Sequence, residues 1–479
     1  MKKRFLSYIS LAAAVILLQA ACTKVTDIQP VDRISSDLSF TTPDKINADV
    51  IGVYDGLQSP EFLAGRSLVY SDVLGEDVID ITGFFNTIFH YTMLASDPYA
   101  ANEWTAGYAA IQKANRVIEG IQANLSVAGT SANTYIGECR FARALAMLTL
   151  VDHYAHPYNF TADASHPGIP VIIKSSVNFT SADLVARNTV AEVYTQMISD
   201  LQFAEANLLA SQGDANVQRA NKYAASALLA RVYLYKGDYA NAKLEEEKVI
   251  GAGVYRLNAD QSASFGPGNY QSSESVFSIS NNAKDNPNTN NALPMHYSPI
   301  SAGGRGDLVI SKTFLNLPGF AADDKRRKLM TVNGNYTYTA KYPDVATRGD
   351  WAPIIRYPEV LLTAAEASVR QTNVVDQTAL DRLNLVRDRS RVSATQYTMA
   401  GFPTAQSFID AILLERRIEL AFEGHRIEDL GRNKQGVTGK QADDYSPITP
   451  VPYGADHLIF PIPQYDTKLN ANLKQNPGY

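Results

Sequence analysis

The stretch AASALLARVYLYKGDYANAKLEEEKVI, Ala224 to Ile250, decides how the rest of the chain is read. Leu229, Ala230 and Tyr233 stand before Gly237-Asp238, and Tyr239 and Ala242 stand after it. Apolar residues at three- and four-residue steps on both sides predict two amphipathic helices joined by a tight turn. Ala230 and Ala242 are small, so the helices can approach closely. Gly237 permits the turn, and Tyr233 and Tyr239 fill the groove.

These offsets are those of a tetratricopeptide (TPR) repeat. Such a helix pair cannot bury its apolar face alone and needs stacked neighbours. The sequence supplies them. Glu103 to Leu125 carries Tyr108, Ile111, Ala114, Val117, Ile118 and Ile121 at helical spacing. Tyr135 to Tyr154 and Thr189 to Leu209 repeat the pattern, the latter opening on an Asn188-Thr189 cap with Glu192 in its first turn. Further on, Arg356 to Arg370, Thr378 to Arg391 and Ala405 to Phe422 read as three more helices. Between the two helical blocks, from Asn258 to Asp350, Gly, Asn, Ser and Pro dominate. VFSIS and YTYTAKY there read as short strands. Gln58 to Ala100 reads as a second irregular region, and the Pro- and Asn-rich tail from His457 as an extended strap.

Length and composition fit a large globular unit. The chain has 479 residues, 45% apolar and 19% charged, with a formal charge of −6. An acidic chain with no basic stripe is a poor partner for a phosphate backbone, so no nucleic acid is expected. The N-terminus reads as an export signal over residues 1–21: basic Lys2, Lys3 and Arg4, apolar Leu11 to Leu18, then Ala20 and Ala21 before Cys22. A small-small-Cys ending resembles a bacterial lipobox and makes Cys22 the expected lipidation site, although Gln19 departs from the usual apolar residue. Multiple acyl chains there would anchor the protein stably. The other cysteine, Cys139, lies among apolar residues at helical spacing and reads as a buried, inert small side chain.

Catalytic motifs are missing from the sequence. There is no G-x-S-x-G elbow, no phosphate-binding G-x-x-x-x-G-K-[ST] loop, no H-E-x-x-H and no C-x-x-C. His153 and His156 could share a metal but lack an obvious third ligand, so no metal and no cofactor are expected. Glu76-Asp77 and Asp323-Asp324 are the carboxylate pairs a glycosidase reading would use; solvated acids are the plainer reading. Arg305-Gly306-Asp307 spells an adhesion tripeptide that chance explains in a Gly-rich loop. The densest charge lies in ERRIELAFEGHRIEDLGR, Glu415 to Arg432. On one continuous helix Arg416, Glu419, Glu423 and Arg426 would share a stripe beside Ile412, Leu413 and Leu420. The stretch is therefore read as a fold-holding charge array rather than an active site. Gly424 marks a close approach or a helix end.

The chain resembles the SusD/RagB family of surface lipoproteins. The resemblance rests on segments in family order: GYAAIQKANRVIEGI, GECRFARALAMLTLVDHYAHPY, GIPVI, RNTVAEVYTQMISDLQFAEANL, ALLARVYLYKGDYANA, ESVFSI, IIRYPEVLLTAAEA, LNLVRDRSRV, ERRIELAFEGHRIEDLGR, LIFPIP and QNPGY. Cys139 stands where the family usually has alanine, and Pro358 where it often has a small residue. The resemblance implies one domain over residues 22–479: mainly α, with TPR-like helix pairs forming a curved scaffold (roughly 103–257 and 352–432). An irregular loop-rich region with a few short β-strands (roughly 258–351) would carry the ligand. It marks Arg356, Glu359, Glu366, Arg387, Arg389, Glu415, Arg416, Glu419, Glu423, Gly424, Arg426 and Asp429 as structural motif positions. It implies a non-enzymatic, lipid-anchored outer-membrane protein facing the cell exterior. Such a protein captures a nutrient, usually a glycan or oligosaccharide, for a SusC-like TonB-dependent transporter. A TPR-like interaction scaffold that binds a peptide, or no ligand of its own, is the first alternative; a surface glycoside hydrolase is the second.

Glycan binding needs aromatic faces to stack on pyranose C–H groups and planar polar groups to pair with hydroxyls. Residues 258–351 hold ten aromatics. Phe84, Phe85, Asn86, Tyr297, Tyr336 and Trp351 are the expected ligand-binding candidates, with core packing as the plainer reading of any single tyrosine.

Overall fold

A computed structural model describes residues 39–176 and 180–479. Cys22 and the export signal lie outside the described residues.

Eleven helices of seven or more residues occur among the described residues. We label them α1 (Pro43–Leu57), α2 (Arg66–Leu74), α3 (Pro98–Ala123), α4 (Ala132–Tyr154), α5 (Val190–Asn207) and α6 (Lys222–Lys236). They continue as α7 (Tyr239–Gly251), α8 (Tyr357–Thr372), α9 (Gln377–Asp388), α10 (Ala405–Glu419) and α11 (Arg426–Arg432). The expected helices all form, and local chemistry sets their ends. Asp97 caps α3 ahead of Pro98. Thr189 and Glu192 close a reciprocal capping box on α5. Asn221 caps α6, and Gly237 ends it at φ +80°, a left-handed conformation that glycine takes without strain. Asp238 then caps α7.

Packing follows chain order. α3 packs on α4, α4 on α5, α5 on α6 and α6 on α7. α7 then packs directly on α8, and α8 on α9 and α10. The helical array therefore closes across residues 252–356, which leave it as one long excursion and return. Ala230 and Ala242 are fully buried at the α6–α7 contact, as their size predicts. Tyr233 reaches Gln202 on α5, while Tyr239 lies under the Arg370 guanidinium of α8. Cys139 is fully buried, and desolvation pushes its thiol far above the ordinary range.

The excursion contributes strands to three two-stranded antiparallel ladders: β1 (Val78–Asp80), from before the array, with β3 (Leu308–Ile310); β2 (Ser275–Ile279) with β6 (Ala352–Arg356); and β4 (Met330–Asn333) with β5 (Tyr336–Thr339). In the second, Ser275 faces Arg356 and Ile279 faces Ala352. β6 runs straight into α8, so the ladder fixes the return of the chain to the array.

Three expectations need correction. The region 58–100 is not simply irregular: α2, β1 and a short helix at Asn86–Phe89 lie in it, and α1 precedes it. The tail is not wholly extended, since Gln464–Leu469 is helical. And Arg416, Glu419, Glu423 and Arg426 do not share one helix. α10 ends at Glu419, Phe422 and Gly424 take φ +66° and +73°, and α11 begins at Arg426. A Cβ on Gly424 would lie 2.9 Å from the Leu68 backbone, so glycine serves both the turn and a close approach to α2.

The charges of Glu415–Arg432 bond across the fold rather than along a helix. Arg356 donates to both oxygens of Glu423 (2.7 and 2.8 Å), to Glu274 (3.0 Å), to Glu419 (3.2 Å) and to the Glu419 carbonyl (2.9 Å). Lys341 spends its three protons on Glu423 (2.6 Å) and the carbonyls of Glu419 and Ala421. Arg326 joins Asp324, Glu415 and Glu419; Arg389 joins Glu274 and Glu419; Arg387 approaches Glu415. A second group ties Arg416 to Asp429, and Arg432 to Asp429 and Glu366. Arg231 grips Glu359, and Arg426 with Arg417 grips Glu76. Nearly all of these side chains are buried, so removing one partner strands a charge without water.

Two predictions follow from this arrangement. Glu423→Ala leaves Arg356 and Lys341 short of a carboxylate in the interior and costs about 3–5 kcal/mol; denaturant unfolding with a midpoint equal to the parent's would refute the assignment. The second concerns pH. Burial pushes the Glu359 carboxyl up, but Arg231 and neighbouring cations outweigh it and hold it at about 2. Glu366, Glu423 and Asp429 are likewise held below the ordinary carboxylate range by their arginines. A folded value below the unfolded 4.5 stabilises the fold above that pH and loses its effect on acidification towards 2. The melting temperature should therefore drop steeply between about pH 4.5 and 2, and a flat acid limb would contradict the network's role.

Candidate ligand-binding face

The structure divides the six candidate ligand residues. Phe85 and Tyr297 are core, contrary to expectation, at 0% and 1% exposure. Phe85 donates its amide to Asp80 (2.7 Å) and turns its ring into Tyr70, Tyr99 and His296. Tyr297 bonds the buried Asp72 carboxyl and packs on Tyr342 and Phe422. Neither can stack on a sugar as packed. Phe84 packs edge-on against Phe85, with centres 4.9 Å apart, and stays half-exposed above it while Phe85 goes in. Asn86 is exposed, and Tyr336 and Trp351 are half-buried.

Around Phe84 the surface combines an aromatic ring with planar polar groups. The Arg305 guanidinium lies 4.1 Å from the Phe84 ring centre. Arg305 also donates to Asn290 (3.0 Å) and to Asp307 (2.8 Å). Arg66, at 5.2 Å from the same ring, donates to the Asn290 carbonyl from the other side. Asp307 is 1% exposed and also bonds His296 and Thr82, so the Arg-Gly-Asp tripeptide has no free acid to offer an adhesion receptor. Arg305 and Asn290 were not singled out as ligand groups by their sequence; only their position beside Phe84 does so.

Trp351 belongs to a second patch. Its indole stacks on Tyr270 with centres 5.3 Å apart and planes 10° apart. Its Nε1 donates to the Asn281 carbonyl at 2.9 Å, which holds the ring in place. Tyr270 donates to Asp350 (2.7 Å), and a shallow pocket lined by Phe265, Tyr270, Asp350 and Trp351 opens beside the stack. Burial pushes the Asp350 carboxyl up to about 6. No local pattern in GPGNYQSSES separates Tyr270 from its neighbours. The segment 281–291 links the two patches, with Asn281 beneath Trp351 and Asn290 beside Phe84. Tyr336 pairs instead with Tyr445 at 6.1 Å, across which Lys312 lies.

Neither carboxylate pair flagged for hydrolysis is free to act. Glu76 and Asp77 are buried against Arg417 and Arg426. Asp324 is locked by Arg326, and Asp323 accepts from Ser393.

Comparison with known proteins agrees with this architecture. A model of the SusD family matches residues 316–479. A second model, described as starch-binding and associating with the outer membrane, matches residues 29–234. The chain belongs to the SusD/RagB family. Among relatives of this SusD-like chain, SusD-like protein P2 of Formosa agariphila is 25% identical over the full length of both chains. SusD-like protein P25 of the same organism is 22% identical, covering 96% of this chain and 97% of its own. A SusD superfamily protein from Bacteroides fragilis superposes with a TM-score of 0.82 at 26% identity, over 91% of this chain and all of the other. A Bacteroides vulgatus protein labelled as sugar-binding gives 0.79 at 27%, over 92% and 99%.

The two tryptophans allow a direct test of the second patch, because Trp104 is buried in α3 and Trp351 is not. Asp350 loses its proton as pH rises through its folded value of about 6, beside the Tyr270–Trp351 stack. Tryptophan emission should titrate with a midpoint near pH 6 in the parent and lose that transition in Asp350→Asn. A transition unchanged in the variant would assign it elsewhere.

Proposed function

We propose that this SusD-like protein captures a glycan or oligosaccharide at the cell surface and passes it to a SusC-like TonB-dependent transporter. The observation that carries the reading is the pair of linked patches: Phe84 with Arg305 and Asn290, and Trp351 with Tyr270 and Asp350. Each joins an aromatic ring to planar hydrogen-bonding groups on loops held by a rigid helical array, which is what recognition of a pyranose requires. The family-model description of starch binding with outer-membrane association, and the sugar-binding label of the Bacteroides vulgatus neighbour, support the same reading. Cys22 is the proposed anchor, with the aromatic face turned outward. The role is capture without chemistry, since Glu76, Asp77 and Asp324 are spent on arginines.

Affinity electrophoresis across a glycan panel tests the binding. Trp351→Ala and Phe84→Ala should each lose retardation on a glycan that slows the parent, whereas Phe85→Ala should act through stability. Full retardation of both surface variants would refute the face. Purification from membranes in mild detergent tests the delivery role: a large TonB-dependent barrel should copurify. A protein that copurifies with the barrel but retards on no glycan would favour the scaffold alternative.

A further inference from the structure

A second site lies away from the aromatic face, where α4 ends against α11 and the tail segment 453–459. Its pocket is lined by the rings of Tyr158, Tyr194, Tyr235 and Tyr453 and by Asp152 and Glu428. Gln435, which is exposed, lines the same pocket, so it opens to solvent. Asp152, Tyr235 and Glu428 also line an adjoining inner cavity with His153, Arg231 and His425.

Acidic groups outnumber the free cations in this chamber. Arg231 is committed to Glu359, and Arg432 to Glu366 and Asp429. His153 bonds Glu103 at 2.9 Å through Nδ1 and Ser71 at 2.8 Å through Nε2, and Ser71 donates to Glu428 Oε1 at 2.6 Å. Burial works against charge on His153, yet Glu103 and the neighbouring acids raise it to about 9, so it is the one cation left. It faces three carboxyl groups, Glu103, Asp152 and Glu428, and burial raises the last two above the ordinary carboxylate range. The Glu428 side chain is 9% exposed, and its Oε2 has no hydrogen-bond partner. An unmatched buried carboxylate oxygen is costly unless something arrives to meet it. His425 brings no positive charge to it, because burial holds it near 4, in its neutral form. Three or more acidic, histidine or cysteine side chains with metal-binding geometry do not occur among the described residues.

We infer that this pocket binds a small organic ammonium ion, with Glu428 Oε2 and Asp152 receiving its N–H groups and the tyrosine rings enclosing it. The rings suit an organic cation, whose charge is attracted to aromatic faces and whose carbon skeleton displaces water from them. Two sources share that chemistry, an amino sugar and the free amine of a peptide.

Titration calorimetry at pH 7.5 on the full mature protein distinguishes them. The probes are glucosamine, N-acetylglucosamine, a dipeptide amide with a free N-terminus, and its N-acetylated form. At least one free amine should bind, its acetylated form should not, and the amine that binds names the source. Asp152→Asn and Glu428→Gln should each weaken binding about tenfold or more without changing retardation on a glycan. Trp351→Ala should leave amine binding intact, which separates failure here from failure of the glycan reading. The comparison of free with acetylated amine needs no variant, so it stands even if the substitutions impair folding. Equal binding of the two forms, no binding of either amine, or parent-like affinity in both variants would each overturn the site.

Discussion

Arg356 spends all five of its guanidinium protons inside the protein, on Glu274, Glu419, Glu423 and the Glu419 carbonyl. It stands at the junction of β6 and α8, where the chain returns from its long excursion to the helical array. Glu274 precedes β2, and Glu419 and Glu423 lie at the end of α10 and in the turn beyond. One side chain thus pins the excursion, its return strand and the closing helices together. Around it five cations (Arg326, Lys341, Arg356, Arg387 and Arg389) meet five carboxylates (Glu274, Asp324, Glu415, Glu419 and Glu423). Balance matters here, because a buried ion is tolerated only when paired and hydrogen-bonded.

That arrangement lets an irregular region behave as part of a rigid body. Residues 252–356 contain only short strands and short helices, which alone would hold few buried contacts. Fastened at Glu274, Asp324, Lys341 and Arg356, they present Trp351 and Tyr270 from a fixed base. Phe84 is held from the other side by β1 pairing with β3 and by Arg66 of α2. Preorganised aromatic groups on a rigid support lose less conformational freedom on binding.

The two proposed ligand sites draw on opposite electrostatic conditions. At the aromatic face, Asp307 meets the charge of Arg305, and Arg66 and Arg305 both bond Asn290, so rings and planar polar groups are set out for an uncharged ligand. In the pocket at the end of α4, acidic groups outnumber the free cations, and Glu428 keeps an oxygen unmet. The first condition suits hydroxyl recognition, and the second suits a positive charge.

How far the sequence reached follows from the range of the interactions involved. Helices α3 to α10, their caps and the Gly237 turn were legible, because apolar periodicity and capping act within a few residues. So was the structural role of Glu415–Arg432, though not its geometry. Gly424 and Phe422 break the helix, and the partners of its charges lie up to hundreds of residues away, beyond any local pattern. The candidate face was half legible: Trp351, Phe84, Asn86 and Tyr336 lie at least partly at the surface, whereas Phe85 and Tyr297 do not. Composition named the loops, but whether an aromatic ring faces water or core depends on which element packs behind it. Tyr270, Arg305 and Asn290 gained meaning only from their neighbours in space. The sequence by itself determined the helical array, through short-range periodicity. The tertiary structure alone decided which charges pair, which rings remain open and where Glu428 is left unmatched, because burial is a property of the packed whole.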